Sequence, residues 1–459
     1  MKKINYNKDT KKIFAIAMPL VFQQLFFQMQ IYVDRAMLGH VNSEYFSAVG
    51  NATAPYFTVI AIIGAICGAT TIFVSQNLGA KKISEARGYA ECSFIGNSIL
   101  PFIFFFLFFF FSDKLFLIMG VQSPILEHSI SYLQILSFSL LIFGVETTAQ
   151  SIIQGIGITK IIMIAGIIKN LLNIIFDYVL IFGKFGFPQL DIKGAAYATL
   201  ISNLIAAPII VIYVFKSAKV PFKMDLKNVF KVKWELYKNI IRIGLPAGFE
   251  SSLWNIGNII VISFLNLINI MSAGIYTLIF SFEMLPNIIY MGFARSTLTL
   301  VGQKTGEKNH KLAISIGFRC MWIALIICAA ISVIFLVFKN SLLSLFTNDQ
   351  VMIQSAAQFM LIICITMFPR SINNVIGLGI QGMGDTKWML YGQIFGTTLV
   401  VFISYILIFV AGFGMIGLFI TFLIDETIRS IINVVRFMKG REFFGLKPFE
   451  GVVDNKTED

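Results

Sequence analysis

Five polar side chains are set into stretches otherwise apolar enough to lie in lipid, and together they suggest the handling of a small cation. They are Asp34, Tyr132, Asn173, Asp177 and Thr199. A carboxylate near the centre of a bilayer costs roughly 2.5–3.5 kcal/mol to insert, so an acid kept there faces protein, water or an ion. Carboxylate, amide, phenol and hydroxyl oxygens are hard ligands that suit Na⁺ or a shared proton, whereas a soft metal would want Cys or His. Two carboxylates brought together in a partly dry site repel each other, and a bound proton or Na⁺ relieves that repulsion. Pro19 precedes Asp34 on the same apolar stretch and leaves one backbone carbonyl without its helical partner, which marks a bend. A plainer reading stays open: polar groups in membrane helices also tie neighbouring helices together.

The elements that carry these residues are helices of membrane length. The chain has 459 residues, 57% of them hydrophobic and only 13% charged, against about 25% charged in a soluble protein. Twelve apolar segments are expected near 13–39, 46–78, 88–112, 127–154, 161–183, 193–215, 239–265, 273–303, 312–338, 351–381, 388–411 and 414–438. Each approaches or exceeds the ~20 residues that span a hydrocarbon core. The fold class expected is an all-α integral membrane protein, since outer-membrane strands would appear as short alternating segments instead.

Charge sets the orientation. Lys2, Lys3, Lys8, Lys11 and Lys12 open the chain, and further basic clusters follow segments two, four, six and eight (Lys81, Lys82 and Arg87; Lys160; the run from Lys216 to Lys238; Lys304, Lys308 and Lys311). The opposite loops hold only Lys114, Lys184, Lys193 and Lys339. By the positive-inside rule both termini are expected in the cytoplasm, with the chain a multi-pass protein of the cell membrane. The net charge of +12 is thereby a topology signal. It does not form the aromatic-interleaved basic face of a nucleic-acid binder, so no nucleic-acid partner is expected.

Other chemistry finds little support. Cys67, Cys92, Cys320, Cys328 and Cys364 lie inside apolar segments without a CxxC, and His40, His128 and His310 are scattered, so neither a disulfide frame nor a metal cluster is expected. Gly377-Leu-Gly379-Ile-Gln-Gly382 fits GxGxxG, but no strand precedes it. Gly64-x-x-x-Gly68 is expected to permit close helix packing. The run Phe102 to Phe111 reads as lipid-facing bulk. No Walker loop, HExxH or GxSxG occurs, and the chain is not expected to be an enzyme or to carry a cofactor.

The sequence also repeats itself. Ala-Met-Pro19 matches Gly-Leu-Pro246, Ser75-Gln76-x-x-Gly79-x-Lys81 matches Gly302-Gln303-x-x-Gly306-x-Lys308, and Gln154-Gly155-Ile-Gly157-Ile-Thr159-Lys160 matches Gln381-Gly382-Met-Gly384-Asp-Thr386-Lys387. All three pairs share one offset of 227 residues (246 against 19, 308 against 81, 387 against 160). Twelve transmembrane helices as two parallel six-helix repeats follow, because six crossings return the chain to its starting side. The expected parts are a first lobe at 1–215, a basic linker at 216–238, a second lobe at 239–438 and a cytoplasmic tail at 439–459, with a cleft between the lobes.

Within that topology depth can be estimated. Segment one leaves the cytoplasm near Ile13 and reaches Asp34 after about 31 Å, and segment five reaches Asp177 after about 24 Å, both in the outer half. Asn173, one turn before Asp177, shares its face. Tyr132 and Thr199 lie one to two turns from the outer ends of segments four and six. The second half differs: it places Glu250, Glu283, Arg295, Arg370, Asp425, Glu426 and Arg429 in its segments. Internal ion pairing is one role for these, and contact of Glu250 or Glu283 with cationic substrate is another.

Val33-Asp34-x-x-Met37-x-Gly39, QGIGITK, Asn173-x-x-x-Asp177-Tyr-x-Leu-x-Phe-Gly183, Gly194-Ala-Ala-x-Ala198-Thr199 and QGMGDTK in this order resemble the multidrug and toxic compound extrusion (MATE) transporters, from Pro19 to about Arg436. The resemblance implies a two-lobed twelve-helix fold and a secondary antiporter that exports amphipathic or cationic compounds in exchange for H⁺ or Na⁺. It also implies that Asp34, Tyr132, Asn173, Asp177 and Thr199 form a first-lobe cation site, where Na⁺ would be held by Asp34, Asn173, Asp177 and Thr199. One sodium-coupled branch of that family has an acid in segment ten where this chain has Arg370, so a second-lobe cation site is not implied. The partners expected are small amphipathic molecules and the bilayer, with the protein a monomer. A flippase for lipids or lipid-linked saccharides is the alternative, kept open by Arg295 and Arg370.

Overall fold

A computed structural model describes residues 6–439 of the chain. Lys2 and Lys3 of the basic start, and the tail beyond Lys439, lie outside the described residues. Helices make up nearly all of the rest, and no strand occurs among the described residues. In order they are α1 (Tyr6–Val41), α2 (Ser43–Gly79), α3 (Ile83–Ile118), α4 (Ile125–Ile156), α5 (Lys160–Phe182), α6 (Asp191–Lys216) and the short α7 (Leu226–Phe230). There follow α8 (Trp234–Ile268), α9 (Ile270–Gly306), α10 (His310–Val337), the short α11 (Lys339–Leu343), α12 (Gln350–Gly382), α13 (Thr386–Tyr405) and α14 (Gly414–Lys439). A π-helical turn at Ile406–Val410 extends α13.

Eleven of these helices are long and apolar enough to cross a membrane. α14 covers the last expected segment but is not among them; Asp425, Glu426 and Arg429 crowd its middle and Arg436 its end. Most of the helices also run past the expected ends, though α5, α10 and α13 stop short of theirs, and α7 and α11 are short turns that apolar periodicity alone could not show.

The helix ends explain why the same pattern recurs along the chain. Asn42 and Asn269 each leave the helical region (φ −156° and −161°), and their side chains accept from the backbone N–H groups of Glu44 and Met271. This is N-capping, which ties down one of the unpaired amides of the first turn. At the other ends of α2 and α9, Lys81 and Lys308 take positive φ of 60° and 57°. Gly157 after α4 and Gly384 after α12 do the same at 93° and 95°, a left-handed conformation that glycine adopts without a Cβ penalty. Each pair is again 227 residues apart (269 and 42, 308 and 81, 384 and 157).

The helices pack into two compact units. Residues Phe22–Gly248 form one, and Phe249 onward joins the chain up to Val21 in the other. The boundary therefore falls inside α1 and α8, so each of these helices contributes to both units. In the first, Leu38, Ile63, Phe116, Leu133, Leu140 and Ile181 are fully buried at the centre. In the second, Val261, Leu265, Ile279, Met360, Ile363 and Leu418 fill the same role. Lipid tails are as apolar as leucine, so these cores are held by close packing and internal hydrogen bonds more than by exclusion from water. Such bonds link α2, α3 and α4: Thr70 Oγ1 and Ser93 Oγ lie 2.9 Å apart, Asn97 donates to Thr148 Oγ1 at 3.1 Å, and Thr71 donates to the Ser151 carbonyl at 2.9 Å.

Phe102, Phe106, Phe110 and Phe111 are exposed, as lipid-facing bulk should be, while Phe108 turns into the core. All five cysteines are buried and free. The expectation for Gly64 and Gly68 fails: no atom would approach within 4 Å of a Cβ added at either. The close approach occurs elsewhere, as at Gly382, where a Cβ would stand 2.5 Å from the Leu298 carbonyl oxygen. The GxGxxG match belongs to the helical run of α12.

Candidate functional site

Three helices of the first unit bring Asp34, Asn173, Asp177 and Thr199 into one cluster. Asp34 comes from α1, Asn173 and Asp177 from α5 and Thr199 from α6. The two carboxyls lie close enough to interact. The amide of Asn173 stands between them. Its inner atom lies 3.1 Å from Asp34 Oδ1 and 3.2 Å from Asp177 Oδ2; with nitrogen in that place it donates to both, and its oxygen accepts from the Thr199 backbone N–H at 3.2 Å. The hydrogen-bond pattern, which alone can orient an amide, favours this placement.

Gln30, one turn before Asp34, donates to Asp34 Oδ2 at 3.2 Å and touches the same end of Asn173. The sequence pattern does not single it out as a site residue, although its i, i+4 spacing to Asp34 is a usable signal. Asp177 and Asn173 are 0% exposed, and Asp177 Oδ1 is buried with no hydrogen-bond partner among the described residues. Tyr132 on α4 is buried near both acids. The cluster thus offers carboxylate and amide oxygens, one of them unpaired, with Asn173 and Asp177 shut off from solvent and Asp34 and Thr199 half-buried. It suits a proton or a small hard cation.

Pro19 lies on α1 in the stretch that packs with the other unit, and the helix continues through it. Glu283, Arg370 and Asp425 also belong to that other unit and form a second cluster. Arg370 on α12 donates to Glu283 on α9 at 2.5 Å and to Glu426 on α14 at 3.0 Å. Arg429 donates to Asp425 Oδ2 at 2.5 Å and Oδ1 at 2.9 Å. Glu250 is held by an amide, accepting from Gln381 at 2.9 Å. The Arg370 and Arg429 pairs, but not Glu250, border a cavity of about 60 Å³ whose apolar walls include Trp254, Tyr276, Phe280 and Phe422. Arg295 lies apart from the cluster and is exposed. Gln393, which accepts from Arg429 at 3.2 Å, is a further member that no sequence motif marks.

Comparison with known proteins adds the family. The model of the MatE family matches residues 19–179 and again 246–406. The chain belongs to the MatE family. Its two matched stretches begin and end 227 residues apart (246 against 19, 406 against 179), the offset at which the caps recur. The MatE chain is 28% identical over 433 residues to an uncharacterised transporter, YisQ, of Bacillus subtilis, covering 93% of this chain and 94% of that one. It is 26% identical over 445 residues to a probable multidrug resistance protein, NorM, of Thermotoga maritima, covering 94% and 92%. Among solved structures it resembles the outward-facing conformation of a multidrug resistance MATE family transporter of the MOP superfamily, with a TM-score of 0.87, 21% identity and coverage of 95% and 97%. The MatE protein is accordingly a multi-pass membrane transporter.

Proposed function

We propose that this transporter is a secondary antiporter that exports amphipathic, often cationic compounds across the cell membrane in exchange for H⁺ or Na⁺. The observation that carries the reading is the meeting of Asp34 and Asp177 across the Asn173 amide inside the first unit. Two acids in one buried cluster hold one cation more readily than none, because their mutual repulsion is relieved only when a proton or Na⁺ enters. Na⁺ would take its oxygens from Asp34, Asp177 and Thr199, and from Asn173 once that amide turns its oxygen from the Thr199 N–H to the ion. Tyr132, buried on α4, would support the site from nearby.

Ion and drug then exclude each other by linkage: whatever factor the ion takes from drug affinity, the drug takes from ion affinity. The Thermotoga relative is named for multidrug resistance, which supports drugs as the exported class. The alternation of basic loops supports cytoplasmic termini and α14 as a twelfth crossing. No cofactor is required, and a monomer is sufficient. The flippase reading loses support, since Arg370 has its charge taken up by Glu283 and Glu426 and the cavity it lines carries three acids beside its two arginines.

Purified protein in liposomes tests the proposal, with drug efflux driven in separate arms by an imposed proton or sodium gradient. Efflux should follow one gradient and be lost in Asp34→Asn and Asp177→Asn. Undiminished coupling in either variant, or efflux indifferent to both gradients, would overturn it.

A further inference from the structure

Helices α1 and α5 lie side by side in a fixed register. Gly166 meets Gln23, Asn173 meets Gln30, and Asp177 meets Asp34. In every pair the numbers differ by 143 (166 and 23, 173 and 30, 177 and 34). A constant offset means that the two helices rise together, so the contacts line one seam. On α5 the positions 166, 170, 173 and 177 keep to a single narrow stripe, as do 23, 30 and 34 on α1. The seam is polar along most of its length. Gly166 has a clear purpose in it, because a Cβ there would stand 2.6 Å from Gln23 Cγ; only glycine lets the glutamine lie between the helices.

Asn170 is the remaining step on the α5 stripe. It is 2% exposed, and its Oδ1 accepts no hydrogen bond from any described residue. By the same register the residue opposite is Phe27, which has no polar side-chain hydrogen to give. A buried carbonyl oxygen left unpaired costs about 1–3 kcal/mol. Neighbouring Lys169 brings no free charge to the seam, since its ammonium is engaged by Glu146 on α4 at 3.2 Å. From Asn170 to Asn173 is about 4.5 Å along the axis, and from Asn170 to Asp177 about 10 Å.

We propose that the α1–α5 seam is the route by which the coupling cation moves between the Asp34–Asp177 pair and the face of the membrane where both helices begin, with Asn170 Oδ1 as a binding station on the way. The proposal rests on the antiport reading above. Sodium would take oxygens from Asn170 and Gln23 in turn; a proton would travel on water that donates to Asn170. Either carrier needs an unpaired acceptor at this depth, and Asn170 supplies one.

The test uses full-length protein in liposomes under the gradient that drives the wild type, and it measures efflux rate together with equilibrium drug affinity. Asn170→Leu is expected to slow driven efflux about tenfold or more while drug affinity stays within twofold. Asn170→Gln, which keeps a carbonyl, should recover most of the rate, and Gln23→Leu should slow it independently should Asn170→Leu fold poorly. The proton and sodium arms tell the two carriers apart. A full rate in Asn170→Leu and Gln23→Leu, or equal slowing by Asn170→Leu and Asn170→Gln, would overturn the route. Asp34→Asn run alongside separates the two levels: coupling that survives Asp34→Asn sinks the antiport reading, whereas coupling lost there but intact in Asn170→Leu sinks the seam alone.

Discussion

Lys169 on α5 reaches across to α4 and donates to both oxygens of Glu146, at 3.2 and 3.4 Å. Glu146 is 3% exposed, and Gln150 donates to it at 2.9 Å. A buried carboxylate that loses its cation is left with a desolvated, uncompensated charge, a loss of roughly 3–5 kcal/mol. Lys169→Met should therefore lower the thermal unfolding temperature of the detergent-solubilised protein sharply, and Lys169→Met with Glu146→Gln should recover much of it. By contrast Glu307→Ala, which removes the exposed partner of Lys304, should cost under about 1 kcal/mol. Equal effects from the two single variants would contradict this account of burial.

Asn173 ties two acids and α6 together through one amide. Hydrogen bonds to charged groups are worth about 1.5–3 kcal/mol each and favour the empty, charged pair, so Asn173→Leu should tighten apparent affinity for a coupling proton by about tenfold to a hundredfold. The ion-concentration dependence of driven efflux measures this directly. Thr199→Val keeps the backbone N–H that Asn173 uses, so its effect on ion affinity should be smaller.

Glycine positions separate packing from pattern. Gly382→Ala would press a Cβ to 2.5 Å from the Leu298 carbonyl oxygen and force α9 and α12 apart, at a cost of about 1–3 kcal/mol. Gly64→Ala meets nothing within 4 Å and should be neutral, or stabilising by up to about 1 kcal/mol through helix propensity. Thermal unfolding of the two variants should move in opposite directions or leave Gly64→Ala unchanged.

The paired caps allow an internal control. Asn42→Ala and Asn269→Ala remove equivalent hydrogen bonds, at 2.9 Å to Glu44 N and 3.1 Å to Met271 N. Each should cost about 1 kcal/mol, and Asn→Gly only a few tenths. Their effects should add, since the two caps lie in separate units and share no partner.

Part of the candidate site is legible in the sequence alone. Asp34 and Asp177 stand out because an acid in an apolar run is expensive, and Asn173 follows because it lies one turn from Asp177. Gln30 and Asn170 do not, because a single amide on a membrane helix carries a small cost, and their helical spacing to Asp34 and Asn173 is one that ordinary core residues share. Gly64 and Gly68 mislead for a related reason: small residues at i, i+4 show that a helix face is smooth, and say nothing of whether a neighbour lies against it. Arg370 is visible as a costly cation, yet its choice of Glu283 and Glu426 over other acids depends on three helices meeting.

By itself the sequence determined the membrane class, the helical segments and the 227-residue recurrence, because each rests on local properties: apolar length, capping chemistry, and glycine where φ turns positive. Tertiary structure decided which helix faces meet. Helical periodicity fixes which residues share a face but leaves open how that face is turned toward its neighbours. That rotation, set by side-chain packing along α1 and α5, is what places the Asn173 amide between Asp34 and Asp177 and leaves the Asn170 Oδ1 unpaired beneath them.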